Sequence, residues 1–311
     1  MSVLKKYSRR PKFFYTLPSN NHFYNFENKE DVSILKEVGV MPLTIMNQMS
    51  LKNPEKLFNG SAIEEIIKDC TTITSIEPRE LLKCDVDFLL VGIKIATNGD
   101  TEDIPVQCPK CESEMTQQIN IEKLLTSATT HEDKYFVDIN VGLDDDRAKE
   151  EYVRIYMRPY TFGEYMQLED ESFNEQKAIT AIQMELDAKR KTDEEFTDED
   201  ERNVLSQVNN ILRNLTGNVI NIYVNAIDKV VILDEKGEET LDVDTDKESI
   251  HDFITNGIGT TEYKRIKDKF IEINSIGVDN IVELTCNNEE CNHEFKYHYD
   301  INMSDFFGAD S

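Results

Sequence analysis

No stretch of this 311-residue chain is apolar for long enough to cross a bilayer, which takes roughly 20 residues. The longest apolar runs, such as Phe88–Ile95, are interrupted, there by Gly92 and Lys94. The first residues are basic, but no apolar segment of signal-peptide length follows them. The expectation is a soluble protein made in a reducing compartment. Positive charge is scarce: 34 Lys and Arg face 61 Asp and Glu, a formal net charge of −27. Such a field repels phosphate backbones and argues against sequence-independent binding to nucleic acid. The one basic concentration, Lys5, Lys6, Arg9, Arg10 and Lys12, reads as a solvated arm.

Histidine is sparse too, with five in all: His22, His131, His251, His293 and His298. None forms the HExxH pattern of a metalloprotease, and the chain has no Walker-type phosphate loop and no nucleophile elbow. Gly257 and Gly259 are a lone pair, better read as a break between helices. Asp242, Asp244 and Asp246 imitate the start of a calcium loop. Lys247 stands where its glycine belongs and Phe253 where its bidentate glutamate belongs, so the match fails. Nothing assembles a nucleophile, a base and an orienting group. The chain is not expected to be an enzyme.

Cysteine is what the chain does have. Six in a long intracellular chain argue for metal or buried thiols rather than a disulfide framework. Cys108-Pro109-Lys110-Cys111 is a tight turn with two cysteines, and Cys286 and Cys291 make a wider one. Both spacings suit thiolates converging on one tetrahedral zinc ion. A short strand precedes each pair, Asp103–Gln107 and Asn280–Thr285, and an alternating strand follows it. Aligned from the second cysteine, Glu114 matches Glu294, Met115 matches Phe295, Ile119 matches Tyr299, Asn120 matches Asp300 and Ile121 matches Ile301. The same strand–knuckle–strand unit occurs twice, and two such units facing each other make a zinc ribbon. Four ligands, Cys108, Cys111, Cys286 and Cys291, fill the coordination shell and mark a structural site. His293 is a possible substitute for Cys291, although it stands at the position of Ser113 in the first unit. Cys70 and Cys84 lie in apolar helical contexts and read as core. Because 174 residues intervene between Cys111 and Cys286, the ribbon ties the middle of the chain to its end.

The remaining pattern is α+β: helical regions with short β-hairpins and a split four-cysteine zinc ribbon formed by two distant knuckles. Leu17-Pro18-Ser19-Asn20-Asn21 signals a turn in which Asn21 tolerates a left-handed backbone. A strand is expected near Ile34–Val40, a helical region from Pro42 to Leu90, and a buried segment over Phe88–Ala96 that Asn98-Gly99-Asp100 ends. Tyr135–Val141 and Tyr152–Met157 read as a hairpin around Asp144-Asp145-Asp146. A helix covers Gly163–Lys191, and a charged loop, Thr192–Asp200, follows. A second helix is expected to open at Thr197 and run through Val204, Val208, Ile211, Leu212 and Leu215. Val230–Leu233 and Thr240–Val243 flank a turn, and two short helices precede the last strand pair. Pro42-Leu43-Thr44-Ile45 followed by Met49 parallels Pro159-Tyr160-Thr161-Phe162 followed by Met166, a second candidate repeat of strand, threonine and helix. The expected divisions are a basic arm (1–12), an N-terminal α+β half with the first knuckle (13–129), a central α/β insertion and helical region (130–278), and the second knuckle with the C-terminal tail (279–311).

Taken in order, these residues resemble the baseplate hub and hub-assembly proteins of T-even-type contractile-tailed bacteriophages. The resemblance is carried by four stretches. They are Leu17-Pro18-Ser19 with Phe23-Tyr24, the step Val40–Thr44, Leu81–Ile95 with Gly99 leading to Cys108–Cys111, and Cys286–Cys291 with its following strand and Asp305-Phe306-Phe307. Asn21 stands where that family usually has glycine, and the second knuckle is wider. The resemblance implies a structural or assembly role in the virion tail baseplate after synthesis in the host cytoplasm. The implied partners are other hub and wedge proteins, with no membrane and no catalytic turnover; self-association stays open. The aromatic ends, Phe13–Phe26 and Phe306-Phe307, would dock on those partners. The alternative is a zinc-ribbon nucleic-acid-binding or transcription-associated module, which the charge of −27 opposes.

Overall fold

The computed structural model describes residues 9–24, 36–141, 152–191, 202, 206, 217–234, 236–299 and 301. In chain order the elements are β1 (Phe13–Tyr15), β2 (Val38–Val40), α1 (Ile45–Leu51), α2 (Pro54–Phe58), α3 (Ser61–Cys70), α4 (Lys83–Asn98), β3 (Thr101–Gln107), β4 (Glu114–Asn120) and α5 (Glu122–Thr126). After them come β5 (Tyr135–Asn140), β6 (Tyr152–Met157), α6 (Phe162–Lys191), β7 (Ile227–Leu233), β8 (Glu239–Asp244), α7 (Lys247–Asp252), α8 (Thr260–Asn274), β9 (Ile281–Thr285) and β10 (Glu294–His298). The α+β reading holds, with helices and short antiparallel sheets throughout. No helix among the described residues is long and apolar enough to cross a membrane. Two compact units emerge. One takes Met1–Asp133, Thr161–Gly163 and Asn274–Ser311, and the other takes Lys134–Tyr160 and Glu164–Ile273.

In the first unit the expected helical region resolves into α1, α2 and α3, then a non-helical stretch and a 3₁₀ turn at Pro78–Glu80 before α4. Thr44 caps α1 in a reciprocal box with Asn47, and Asn53 caps α2 with Pro54 at its first position. The i, i+3, i+4 stripe of α3 buries Ile63, Ile66, Ile67 and Cys70. Helix α4 has no side-chain cap at its start, yet it is buried on almost every face. Burial therefore holds it: each enclosed Leu, Ile, Val or Phe contributes about 1.5–3 kcal/mol. Gly92 lets Tyr15 lie against this helix, since a Cβ there would meet the ring at 2.9 Å. The strand expected over Ile34–Val40 is confined to Val38–Val40, which pairs with Phe13–Tyr15; Lys36 is helical, and Ile34 and Leu35 lie outside the described residues.

The turn at Leu17–Asn21 docks on the start of α4. Ser19 donates its backbone N–H to Asp85 Oδ1 (2.9 Å), and Tyr24 donates its hydroxyl to Asp85 Oδ2 (2.7 Å). Leu82 N–H in turn donates to the Tyr24 oxygen at 2.8 Å. Asn20, Asn21 and Phe23 all adopt positive φ, so the left-handed turn extends beyond Asn21. Behind it Cys84 Sγ lies 3.4 Å from His131 Nε2. Gly277, at φ +125°, passes so close that a Cβ would sit 2.9 Å from that of Cys84.

Two buried groups in this cluster oppose each other in pH. Burial pushes the Asp85 carboxyl up to about 6, and burial with His22 nearby pushes the His131 imidazole down to about 4. Asp85 takes up a proton on folding, so its contribution falls as pH rises from about 4 to about 6. His131 does the reverse, because the unfolded chain binds the proton that the folded chain refuses, and its contribution rises from about 4 to about 6.5. Their sum is nearly flat across that window. Asp85→Asn is expected to expose the histidine slope, with stability rising by about 1–3 kcal/mol between pH 4.5 and 6.5. His131→Gln exposes the opposite slope. Urea titrations at several pH values measure both, and parallel slopes in the two variants would refute the assignment.

The second unit carries a four-stranded antiparallel sheet of order β5-β6-β7-β8. The expected hairpin of β5 and β6 pairs Tyr135 with Met157 and Asn140 with Tyr152, and the expected pair β7–β8 runs longer than its sequence signal. Arg154 grips Asp138, its partner across the strands, by donating Nε–H and Nη2–H to its two carboxylate oxygens at 2.7 and 2.8 Å. Helix α6 begins one residue before the expected start. Beyond β8, Asp246 caps α7 by accepting from Ser249, which gives that aspartate a helix to cap rather than an ion to bind. A single wide turn, Phe253–Gly257, continues α7, so the break falls between Gly257 and Thr260. Helix α8 is longer than expected and buries Ile266, Phe270 and Ile273, with Phe270 edge-on to Tyr223 at 4.9 Å. The Asp144-Asp145-Asp146 loop, the segment Thr192–Asp200 and Asp305-Phe306-Phe307 lie outside the described residues, as does the helix expected from Thr197 through Leu215 apart from Arg202 and Ser206, which are helical.

Candidate metal centre

Both knuckles are hairpin tips in the first unit. Strands β3 and β4 pair from Thr101↔Asn120 to Gln107↔Glu114, and β9 and β10 pair from Ile281↔His298 to Thr285↔Glu294. The strands after each knuckle thus begin at Glu114 and Glu294, the residues the sequence alignment equates. Cys108 N–H donates to Ser113 O at 3.1 Å, and Cys286 N–H donates to His293 O at 2.9 Å, closing the two tips alike. Inside each tip the residue after the second cysteine turns left-handed, Glu112 at φ 57° and Asn292 at φ 42°. Glu112 N–H donates to Cys108 O, and Asn292 N–H donates to Asn288 O. Asn288 therefore takes the place of Cys108 in the turn, and the wider spacing is absorbed between Cys286 and Asn288.

The tips bring the four sulfurs together. Cys108 Sγ lies 3.9 Å from Cys291 Sγ, Cys111 Sγ lies 3.6 Å from Cys286 Sγ, and all four fall within 4.8 Å of one another. Tetrahedral zinc–thiolate bonds of about 2.3 Å require sulfur–sulfur edges of about 3.8 Å. Among the described residues this is the one cluster of three or more such side chains. Cys108 and Cys286 are buried, Cys111 is exposed and Cys291 is intermediate. The His293 ring instead stacks on Phe295, so the thiol of Cys291 occupies the fourth corner. Cys70 and Cys84 lie apart from the cluster, the first buried at the end of α3.

Hydrogen bonds from Ser113 hold the Cys111 thiol down to about 6, whereas desolvation and the adjoining sulfurs push Cys291 up to about 12. Four sulfurs this close cannot all ionise without a compensating cation, and a divalent ion supplies that charge. Four thiols within 4.8 Å of one another form a soft donor set that could hold a metal ion, and the residues present fit zinc.

Sequence reasoning did not find several supporting residues. The Ser113 hydroxyl reaches Cys111 Sγ at 3.0 Å and Cys286 Sγ at 3.7 Å, bridging the tips. Gln117 Nε2 donates to Thr285 O (2.6 Å) and Asn287 Oδ1 (2.9 Å), tying one hairpin to the other. At the opposite ends of the hairpins Lys94 Nζ, which is only 1 % exposed, donates to Glu102 Oε1 and to the Tyr299 hydroxyl, both at 2.8 Å. The Tyr299 hydroxyl donates to the other Glu102 oxygen. A polar residue beside a knuckle, as at Ser113, was the only signal of this shell in the sequence.

No curated protein and no solved structure matches the chain. A family model described as T4 bacteriophage base plate protein matches residues 12–308. With nearly the whole length covered, from the strand before the Leu17 turn past the second knuckle, the chain belongs to the T4 bacteriophage base plate protein family and is a structural component of the virion tail baseplate.

Proposed function

We propose that this protein is a scaffold of the baseplate hub, stapled by one structural zinc ion on Cys108, Cys111, Cys286 and Cys291. The observation that carries the reading is the four-sulfur cluster, whose contacts of 3.6 and 3.9 Å bracket the tetrahedral edge. Its ligands come from tips separated by 174 residues, so the ion holds two distant parts of the chain in one rigid face. A closed coordination shell supports a non-enzymatic role. The division into 1–12, 13–129, 130–278 and 279–311 belongs to the same proposal, with the central region inserted between the halves of the ribbon.

Hub and wedge proteins are the partners this reading requires. Phe13 and Phe14 are exposed, as an anchoring role needs, whereas Tyr24 is half-buried with its hydroxyl bonded to Asp85. On α1, Ile45, Met46 and Met49 also face outward. The test combines metal and position. Elemental analysis of the purified chain is expected to give one zinc per polypeptide, and a tagged chain in purified baseplates should map to the central hub. A metal-free folded chain would defeat the staple, and density confined to the periphery would defeat the hub.

A further inference from the structure

Strand β8 ends its sheet, and no strand among the described residues pairs with its outer edge. Proteins blunt such edges with charged side chains, lysine above all, with proline or with bulges. Glu239-Thr240-Leu241-Asp242-Val243-Asp244 has no lysine or proline, and its charges are all carboxylates, which discourage a like-charged strand but not a basic one. Its pairing with β7 slips between Val231 and Leu233, and Leu241 is thrown fully into solvent at 100 % exposure. Beside the edge lies an open groove of about 490 Å³, walled by Val230, Ile232, Val243, Ile250 and Phe253. Two of these wall residues, Ile232 and Val243, are themselves half-exposed. An unpaired edge next to side-chain pockets is the arrangement by which sheets accept an added strand: the backbone supplies affinity, and alternate side chains supply choice.

Charge decides what the added strand is. Glu239 is taken up by Arg154 and Tyr156. Asp242 and Asp244 form no ion pair among the described residues, and Asp244 only accepts from the backbone of Asp246. Pairing with a second copy of β8 would set these carboxylates against their own kind, and like charges directly opposite across strands are destabilising. We propose that β8 receives an extended segment of another baseplate protein, carrying an apolar anchor flanked by lysine or arginine, as a fifth strand of the sheet. The proposal deepens the scaffold reading by naming a docking edge, and it rests on the chain's place in the baseplate rather than on its metal.

The test places a photo-crosslinking p-benzoylphenylalanine at position 241 of the full chain, in baseplates assembled in infected cells. Mass spectrometry of the adduct is expected to identify one lysine- or arginine-bearing extended segment of a different baseplate protein. Leu241→Asp, on a fully exposed side chain, is expected to lower incorporation into baseplates by about tenfold or more. Its zinc content and unfolding temperature should stay at wild-type values. An adduct with a second copy of the chain, an adduct with an acidic or helical segment, no adduct at all, or undiminished incorporation of Leu241→Asp would each overturn the proposal. A chain that holds no zinc but gives the expected adduct would defeat the staple and leave the docking edge standing.

Discussion

Stripping zinc from the purified chain is expected to unfold the unit that carries the four cysteines. Structural zinc sites contribute apparent binding energies of about 10–16 kcal/mol, comparable with or above the 5–15 kcal/mol that holds a typical domain together. The hairpins β3–β4 and β9–β10 are each two-stranded, an arrangement with little stability of its own. Without the ion, four sulfurs within 4.8 Å must stay protonated or repel one another. Treatment with a strong chelator should therefore abolish amide protection in both hairpins, while β5–β8 of the other unit keep theirs. Alkylation adds a second readout, since the four clustered thiols should react only after the metal is gone.

Single substitutions separate a ligand from a packed thiol, and Cys111 is the decisive one because it is exposed. An exposed side chain that binds nothing can be changed to serine for about 0.5 kcal/mol or less. If Cys111 is a zinc ligand, Cys111→Ser should instead cost several kcal/mol, on the scale of Cys286→Ser at the buried corner. Near-neutral behaviour of Cys111→Ser in a zinc-saturated sample, measured by denaturant titration, would leave the cluster with at most three ligands and end the account of a closed site.

The cysteine tips were legible because they are local: a pair of thiols, a strand before and a strand after make a pattern within 20 residues at Thr101–Asn120 and 18 at Ile281–His298. The first residues that the alignment from the second cysteine matches, Glu114 and Glu294, open β4 and β10. What surrounds the tips was not legible. Gly92 and Lys94 looked like interruptions in an apolar run, yet both are demanded by the packing. Gly92 admits the Tyr15 ring, and Lys94 meets a carboxylate and a phenol from elsewhere in the chain. Asp85 escaped notice for the same reason, since its partners Ser19 and Tyr24 lie more than sixty residues upstream. Sequence periodicity reports which face of an element is apolar; it is silent about a polar side chain whose partner is set by tertiary contact. Even the turn at Asn21 was only half visible: asparagine advertises a left-handed backbone, whereas Phe23, in the same conformation, does not.

Lys94 supplies the other large effect. Its ammonium is enclosed at the base of the two hairpins, where Glu102 comes from β3 and Tyr299 follows β10, so the same pair of hairpins is clasped at the tips by cysteines and at the base by this triad. Burial lowers the lysine pKa, and Glu102 partly restores it. Removing the carboxylate as Glu102→Leu strands a buried cation and is expected to cost about 3–5 kcal/mol. Lys94→Met should cost less, about 1–2 kcal/mol, because the Glu102 side chain is 27 % exposed and can rehydrate. The double variant should recover most of the larger loss, since two apolar groups in place of a buried pair are often nearly neutral. The pH response of Glu102→Leu has a definite sign. With its pKa depressed further, Lys94 sheds its proton in the folded state while the unfolded chain keeps it, so stability should rise as pH climbs toward the ordinary lysine pKa of about 10.4. Equal losses in the two single variants, or a flat profile for Glu102→Leu, would show that the ion pair is not what holds the base of the hairpins. A base that holds pre-aligns the tips, and Lys94→Met should then weaken zinc binding by about 10–100-fold, the scale on which supporting contacts act on a metal site.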